Sequence, residues 1–442
     1  MGHIPRQALL LGAALLLVAC GKHGGDAAQA PAVLSPPAPA AAPVVARPEQ
    51  LLSARAQLGK RLFFDPTLSG SGRQSCATCH DPAHAYAPDN ALPVQLGGAD
   101  LKTPGTRAVP TLMYKKYTHA YSDTYQNPDQ VSPPAPGGGF GWDGRADSLA
   151  AQAEIPLLAA NEMANAGRAD VAAKLRKAAY AEQFRAMFGA ASLDDDAKAV
   201  AQAGIALQAF QIEDASFRPF SSKFDRYRNN KQGGTLTTQE LHGFALYMSP
   251  DKGNCNACHL LGPGDGGSQD ISSDYSFAAI GVPRNPQIPA NANPAYFDLG
   301  LCGPLRADRA PARPGAASPY CGLFKTPVLR NAATRQVFMH NGRFTSLREA
   351  VRFYATRDTD PGQWYPKDAN GKPRKFDDLP PVYRANLDRQ APLDGRAAGS
   401  TPALSDSDID DLVAFIGTLT DEAYLPLAQA ASQLPEPVPK PP

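Results

Sequence analysis

Cys76-Ala77-Thr78-Cys79-His80 and Cys255-Asn256-Ala257-Cys258-His259 decide the architecture of this chain. A Cys-x-x-Cys-His pentad is the attachment signature of c-type haem. Its two thiols add to the vinyl groups of one porphyrin, and the adjoining histidine is carried under the iron as an axial ligand. The competing use of Cys-x-x-Cys is a zinc site or a dithiol redox pair. A histidine directly after both pairs decides for haem. With only 7 Cys and 8 His in 442 residues, two complete pentads do not arise by chance. Two covalently bound c-type haems are expected, anchored by Cys76, Cys79, Cys255 and Cys258, with His80 and His259 on the irons.

The ends and the composition narrow the setting. Arg6 followed by the apolar run Ala8 to Val18 reads as an export signal over residues 1–19, since the run is too short to span a bilayer. It closes on Leu17-Val18-Ala19-Cys20, which resembles a bacterial lipobox, so Cys20 is expected to carry a lipid anchor in the periplasm. Residues 20–48 are mostly Ala, Pro and Val after the cysteine and read as a semi-rigid linker, and residues 431–442 as a disordered tail. Cys302 and Cys321 then remain. In an oxidising compartment they are the natural disulfide pair, with two free thiols as the alternative. The net charge of +1 and the lack of any basic run argue against nucleic acid as a partner. There is no Gly-rich phosphate loop and no nucleophile elbow.

Between linker and tail the chain is long enough for two domains, placed at 49–220 and 221–430, each with one pentad. Arg55 to Phe64 has helical apolar spacing. Asp147-Ser148 can cap a helix ending near Pro156. Asp170 to Phe188 and Asp194 to Phe210 are amphipathic. Thr237-Thr238-Gln239-Glu240 is a capping box for a helix through Met248, and Ser405-Asp406-Ser407-Asp408 caps a last helix from Ile409 to Leu419. Residues 85–140 and 260–325 are rich in Gly, Pro, Asn and Ser and read as ordered loops. The class is mainly α with extensive irregular structure.

Further motifs bring a resemblance. Trp142-Asp143-Gly144-Arg145, then Gln152, Pro156 and Glu162, lie in one stretch. Leu62-Phe63-Phe64-Asp65, Phe324-Lys325-Thr326-Pro327-Val328-Leu329-Arg330-Asn331, Met339-His340-Asn341-Gly342-Arg343-Phe344 and Asp411-Leu412-Val413-Ala414-Phe415 follow the same pattern elsewhere. Together they resemble the bacterial di-haem cytochrome c peroxidases and the MauG-type enzymes. The resemblance implies two cytochrome c-like domains with their haems facing the domain interface. It implies that Trp142 lies between the haems, and that Gln152 and Glu162 line the peroxide pocket of the first. The residue types suit that work. Cleaving the O–O bond of peroxide needs a proton moved from the inner to the outer oxygen, which a carboxylate can do as general acid–base. An amide orients the peroxide without titrating.

The departures from the family pattern matter equally. Classical members carry a blocking histidine some sixteen residues after the first pentad. Here that count from His80 reaches Leu96, and only His84 and His119 lie near, so the first haem is expected to be open. Where classical members offer a methionine to the second haem, this chain has Ala350-Val351-Arg352-Phe353-Tyr354-Ala355. Tyr354 falls where MauG-type relatives place a tyrosine ligand, with Met339 or Met248 as alternatives. The family's inter-domain calcium uses an asparagine before a Pro-Thr step. Here Arg107-Ala108-Val109-Pro110-Thr111 lacks it, which puts Ca2+ in doubt. The expected function is reduction of hydrogen peroxide with electrons from a small donor protein, cytochrome c or a cupredoxin. The alternatives are a MauG-like oxidase that modifies a partner protein and a non-catalytic electron carrier.

Overall fold

Two helix crossings organise the molecule. The computed structural model describes residues 51–262, 270–313 and 315–434. In the first crossing, helix Ala54–Phe63 packs on helix Asp196–Glu213. In the second, helix Thr238–Met248 packs on helix Asp406–Gly417. Each contact depends on a glycine. A Cβ at Gly59 would strike the carbonyl of Ala206, and one at Gly243 would strike the carbonyl of Asp411. The missing side chain lets backbone meet backbone, and Phe210 and Phe415 then lie beside the respective glycines.

Apolar side chains collect around each crossing. Leu58, Leu62, Phe63, Phe184, Leu207 and Phe210 belong to one buried cluster, and Phe224, Leu246, Tyr247, Leu412 and Phe415 to another. The first cluster also takes in Ile271, Tyr275, Val328 and Tyr424 from far along the chain. The described residues accordingly form one compact unit. Polar stitches reinforce the join. The fully buried carboxylate of Asp421 accepts from the Tyr114 hydroxyl (2.6 Å), the Asn331 amide (2.8 Å) and the Ser221 N–H (2.9 Å). Arg330 grips Asp225 through two nitrogens, at 2.9 and 2.5 Å.

Local signals act largely as the sequence implies. Thr237 with Glu240 and Ser405 with Asp408 both close capping boxes. Ser148 caps the helix Leu149–Leu158, which runs on past Pro156. Proline removes one donor, that for the Gln152 carbonyl, but the Ala159 N–H still reaches the Ile155 carbonyl at 3.0 Å, so the turn persists. The stretch 170–188 is two helices, Arg168–Lys177 and Ala181–Phe188. The helix capped by Ser405 is not the last: Leu425–Ser432 follows and reaches into the expected tail. The loop-rich stretches hold three antiparallel two-stranded ribbons: Leu96–Gly97 with Thr103–Pro104, Ser122–Tyr125 with Ala135–Gly137, and Phe277–Ala278 with Phe324–Lys325. Cys302 and Cys321 are joined, with S–S 2.06 Å. No helix among the described residues is long and apolar enough to cross a membrane. The export signal, Cys20, the linker and residues 435–442 lie outside the described residues.

Candidate functional site

Each pentad histidine is held in the same way. The Nδ1–H of His80 donates to the Tyr86 carbonyl at 3.1 Å, and that of His259 to the Pro327 carbonyl at 3.0 Å. A carbonyl only accepts, so each ring keeps its proton on Nδ1 and presents Nε2 as the ligating nitrogen. Burial pushes both imidazoles down to about 4, which keeps them neutral, the form that binds a metal.

Around the second pentad lies a cleft enclosing ≈ 1340 Å³ of empty space, part of it open to solvent. Cys255, Cys258 and His259 line it, with Leu404, Leu412 and Ile416 as apolar wall. Large, mostly apolar and bearing two thiols and a neutral imidazole, it fits a covalently attached porphyrin. Tyr354 and Met339 both line this cleft, Tyr354 from helix Leu347–Thr356. Met248 is 41% exposed and does not line it. Trp142 also lines the cleft, its indole N–H donating to the Ala108 carbonyl at 2.8 Å and its own carbonyl accepting from the Lys325 N–H at 2.9 Å.

Glu162 belongs to the first pentad. Burial raises the thiols of Cys76 and Cys79 to about 12 and about 11, and the nearby Glu162 carboxylate adds to the rise at each. Glu162 follows the helix Leu149–Leu158, which carries Gln152. Its backbone is held on both sides, its N–H on the Ala159 carbonyl (3.0 Å) and its carbonyl on the Gly98 N–H (2.8 Å). Gly97 permits this, because a Cβ there would press on the backbone of Asn161 and Glu162. Burial lifts the Glu162 carboxyl above its ordinary value, with the Arg145 guanidinium pulling the other way. Of the other histidines near this pentad, His84 bonds the Asp81 carboxylate at 2.8 Å, and His119 lies among the rings of Tyr125 and Tyr275.

Arg107, in the stretch where the resemblance implied calcium, is paired with two carboxylates. Arg107 binds Asp298 through Nε and Nη2 (2.6 and 2.7 Å) and Asp143 through Nη1 (2.8 Å). Arg107 thus shares one positive charge between two carboxylates, with Arg145 at 3.7 Å from Asp143 as a second cation; no group of three or more His, Cys, Asp or Glu that could hold a metal ion is found among the described residues.

Sequence reading did not single out Lys115 and Arg335, whose charges act on His80, or His340 and Lys325, which line the second cleft. Lys325 and His340 stood inside quoted motifs; nothing in the sequence marked the other two.

Two histidine-bearing thiol pairs, one near a half-buried carboxyl and one in a cleft that fits a porphyrin, define a haem-dependent oxidoreductase. The family model for di-haem cytochrome c peroxidases matches residues 53–233. The chain is 35% identical to the methylamine utilization protein MauG of Paracoccus denitrificans, over 85% of this chain and 91% of that one. It is 29% identical to the cytochrome-c peroxidase IdrP1 of Denitromonas iodatirespirans, over 82% of this chain and 88% of that one. The crystal structure of the diheme peroxidase BthA from Burkholderia thailandensis superimposes with a TM-score of 0.75 at 39% identity, covering 85% of this chain and 88% of that one. The chain belongs to the di-haem cytochrome c peroxidase and MauG family, and is an oxidoreductase acting on peroxide.

Proposed function

We propose that the protein reduces hydrogen peroxide to water beside His80, with electrons that enter beside His259 from a small donor protein such as a cytochrome c or a cupredoxin. Haem bound at the two pentads supplies the redox-active iron. The observation that carries the reading is Glu162, a carboxyl near Cys76 and Cys79 with no hydrogen bond or ion pair to its side chain among the described residues. A carboxyl with a raised pKa and no fixed partner is suited to take a proton from one peroxide oxygen and hand it to the other. Gln152 orients the peroxide through its amide. Trp142 stands at the edge of the second cleft, where an aromatic ring shortens the electron's path between the sites. Two electrons and two protons per peroxide give two waters. The test is turnover of peroxide with a reduced cytochrome c; an oxidised protein whose spectrum does not respond to peroxide would sink the reading.

A second reading, removal of electrons from a partner protein at long range, draws on Tyr354 in the second cleft. A phenolate is a hard anionic donor and favours higher oxidation states of iron, whereas a thioether favours the reduced one. Failure to turn over any reduced cytochrome, with peroxide reactivity intact, would favour this reading. A pure electron carrier would need both irons six-coordinate. The working place we propose is the periplasm, with Cys20 acylated; the mass of the mature N-terminal peptide tests it.

A further inference from the structure

Tyr121, just ahead of the strand Ser122–Tyr125, is half-buried, and its hydroxyl donates to the Asp123 carboxylate at 2.7 Å. The other oxygen of Asp123 accepts from Arg309 at 2.6 Å. Asp123 and Arg309 are themselves partly exposed, so the proton of this phenol faces the surface. The ring faces inward. Gly144 adopts a left-handed φ of +62°, and a Cβ there would lie 3.2 Å from the Tyr121 ring and 2.8 Å from the Phe277 ring. Without a Cβ, both rings sit against the backbone two residues past Trp142, 6.0 Å apart and edge to face. Nη1 of Arg306 bonds the Asp143 and Gly144 carbonyls (2.9 and 2.8 Å), and its guanidinium lies 4.1 Å from the centre of the Tyr121 ring.

The same loop meets the second cleft. Trp142 lines it and accepts from the Lys325 N–H, and Ala278, next to Phe277, lines it too. One short piece of chain therefore joins an indole at the cleft to a phenol at the surface. Tyr114 and Tyr180 also donate to carboxylates, those of Asp421 (2.6 Å) and Asp65 (2.5 Å), but both rings are buried in the first apolar cluster.

Charge decides how such a phenol reacts. Taking an electron from the ring alone would leave a cation beside two guanidiniums, Arg306 at 4.1 Å and Arg309 at 5.1 Å, which like-charge repulsion opposes. Taking the proton with it leaves the ring neutral. A phenol that has lost an electron is a much stronger acid than a carboxylic acid, so Asp123 is the acceptor at hand.

We propose that Tyr121 is a redox-active tyrosine, an outlet that carries oxidising equivalents taken from peroxide past Trp142 to the surface when no reduced donor serves the second site. The inference rests on the haem and peroxide reading above. In the step, the Tyr121 O–H bond breaks and its proton passes to Asp123. Its electron goes by way of Trp142 to the peroxide-oxidised site, which is reduced by one electron. The neutral phenoxyl then regains an electron from a one-electron reductant in solution and the proton from Asp123.

The experiment treats the holoprotein, its haems counted by intact mass, with stoichiometric hydrogen peroxide and a nitroso spin trap in the absence of reductant. The trap should end on Tyr121, as located by peptide mass, and a frozen sample without trap should show a tyrosyl radical by electron paramagnetic resonance. Tyr121→Phe should lose both, and its peroxide-oxidised spectrum should persist several-fold longer. Asp123→Asn keeps the phenol but cannot take up the proton, so the trapped yield should fall several-fold. Tyr227→Phe, which removes an exposed phenol elsewhere, should behave as the parent. An undiminished radical signal in Tyr121→Phe, or an equal trapped yield in Asp123→Asn, would overturn the proposal. If Tyr121→Phe does not hold two haems, the trapped yield of Asp123→Asn decides alone. A parent whose spectrum ignores peroxide would defeat the peroxide reading instead; a parent that responds but leaves Tyr121 unlabelled defeats this one.

Discussion

The two pentads are held alike but set among different residues. Each sits under a glycine-mediated crossing of two helices, at Gly59 and at Gly243, and each histidine is locked by a backbone carbonyl, from Tyr86 or from Pro327. What lies near each pentad differs. Near the first lies a carboxyl that burial holds above its ordinary pKa. Around the second lies an apolar cleft whose polar visitors include a phenol and a thioether, Tyr354 and Met339. The proximal arrangement fixes that a haem is held. In the function proposed above, the residues brought in from elsewhere in the chain set one site to protons and the other to electrons.

The sharpest way to break this comparison is to empty one site at a time. Cys76→Ser with Cys79→Ser should remove one haem, and Cys255→Ser with Cys258→Ser the other, as read by intact mass and haem staining of denaturing gels. Loss of both haems from either double variant would show that the sites are not independent.

Next in size is the proton carrier. Glu162→Gln should lower peroxide turnover by about 10²–10⁴-fold with both haems retained, and Gln152→Ala by less, since it removes orientation alone. The pH profile sharpens this. With the Glu162 pKa raised, the carboxylate that accepts the peroxide proton is lost as pH falls through that raised value, so turnover should decline there. Glu162→Gln should abolish that acidic limb. Equal turnover in parent and variant would remove Glu162 from the chemistry.

The second site is tested by its phenol. Tyr354→Met replaces a hard anionic donor with a soft neutral one, so the potential of the haem on His259 should rise while that on His80 stays put. Turnover with a reduced cytochrome should survive. If Tyr354→Phe leaves both spectrum and potential unchanged, Tyr354 is packing and the ligand role passes to Met339.

The smallest effects probe the likeness itself. Gly59→Ala and Gly243→Ala each force a methyl onto a carbonyl of the crossing helix, and each should cost about 1–3 kcal/mol of stability, seen as a lower Tm in denaturant-free melts. A strongly unequal pair would mean that the two crossings are not equivalent supports.

Much of this was written locally. A pentad is contiguous, so its chemistry can be read without a fold. Capping boxes such as Thr237 with Glu240 and Ser405 with Asp408 lie within one helical turn, which is why they too are legible. Gln152 and Glu162 were reached through a motif, because nothing in a lone glutamate distinguishes a proton carrier from a solvated acid. Pro156 marked the neighbourhood of the helix end, which falls two residues on at Leu158 because one lost donor does not outweigh the remaining bonds.

Tertiary structure alone decided the rest, and the reason is distance along the chain. Gly59 meets Ala206 and Gly243 meets Asp411 across long stretches of sequence, so neither crossing shows in any local period. Arg107 finds two carboxylates only because Asp143 and Asp298 are brought to it. Lys325 stands inside a local motif, but only folding buries it against the Gly139 carbonyl. Sequence determined the pentads and the local caps; the long-range packing determined what electrostatic company they keep, because burial and charge proximity are properties of space and not of order along the chain.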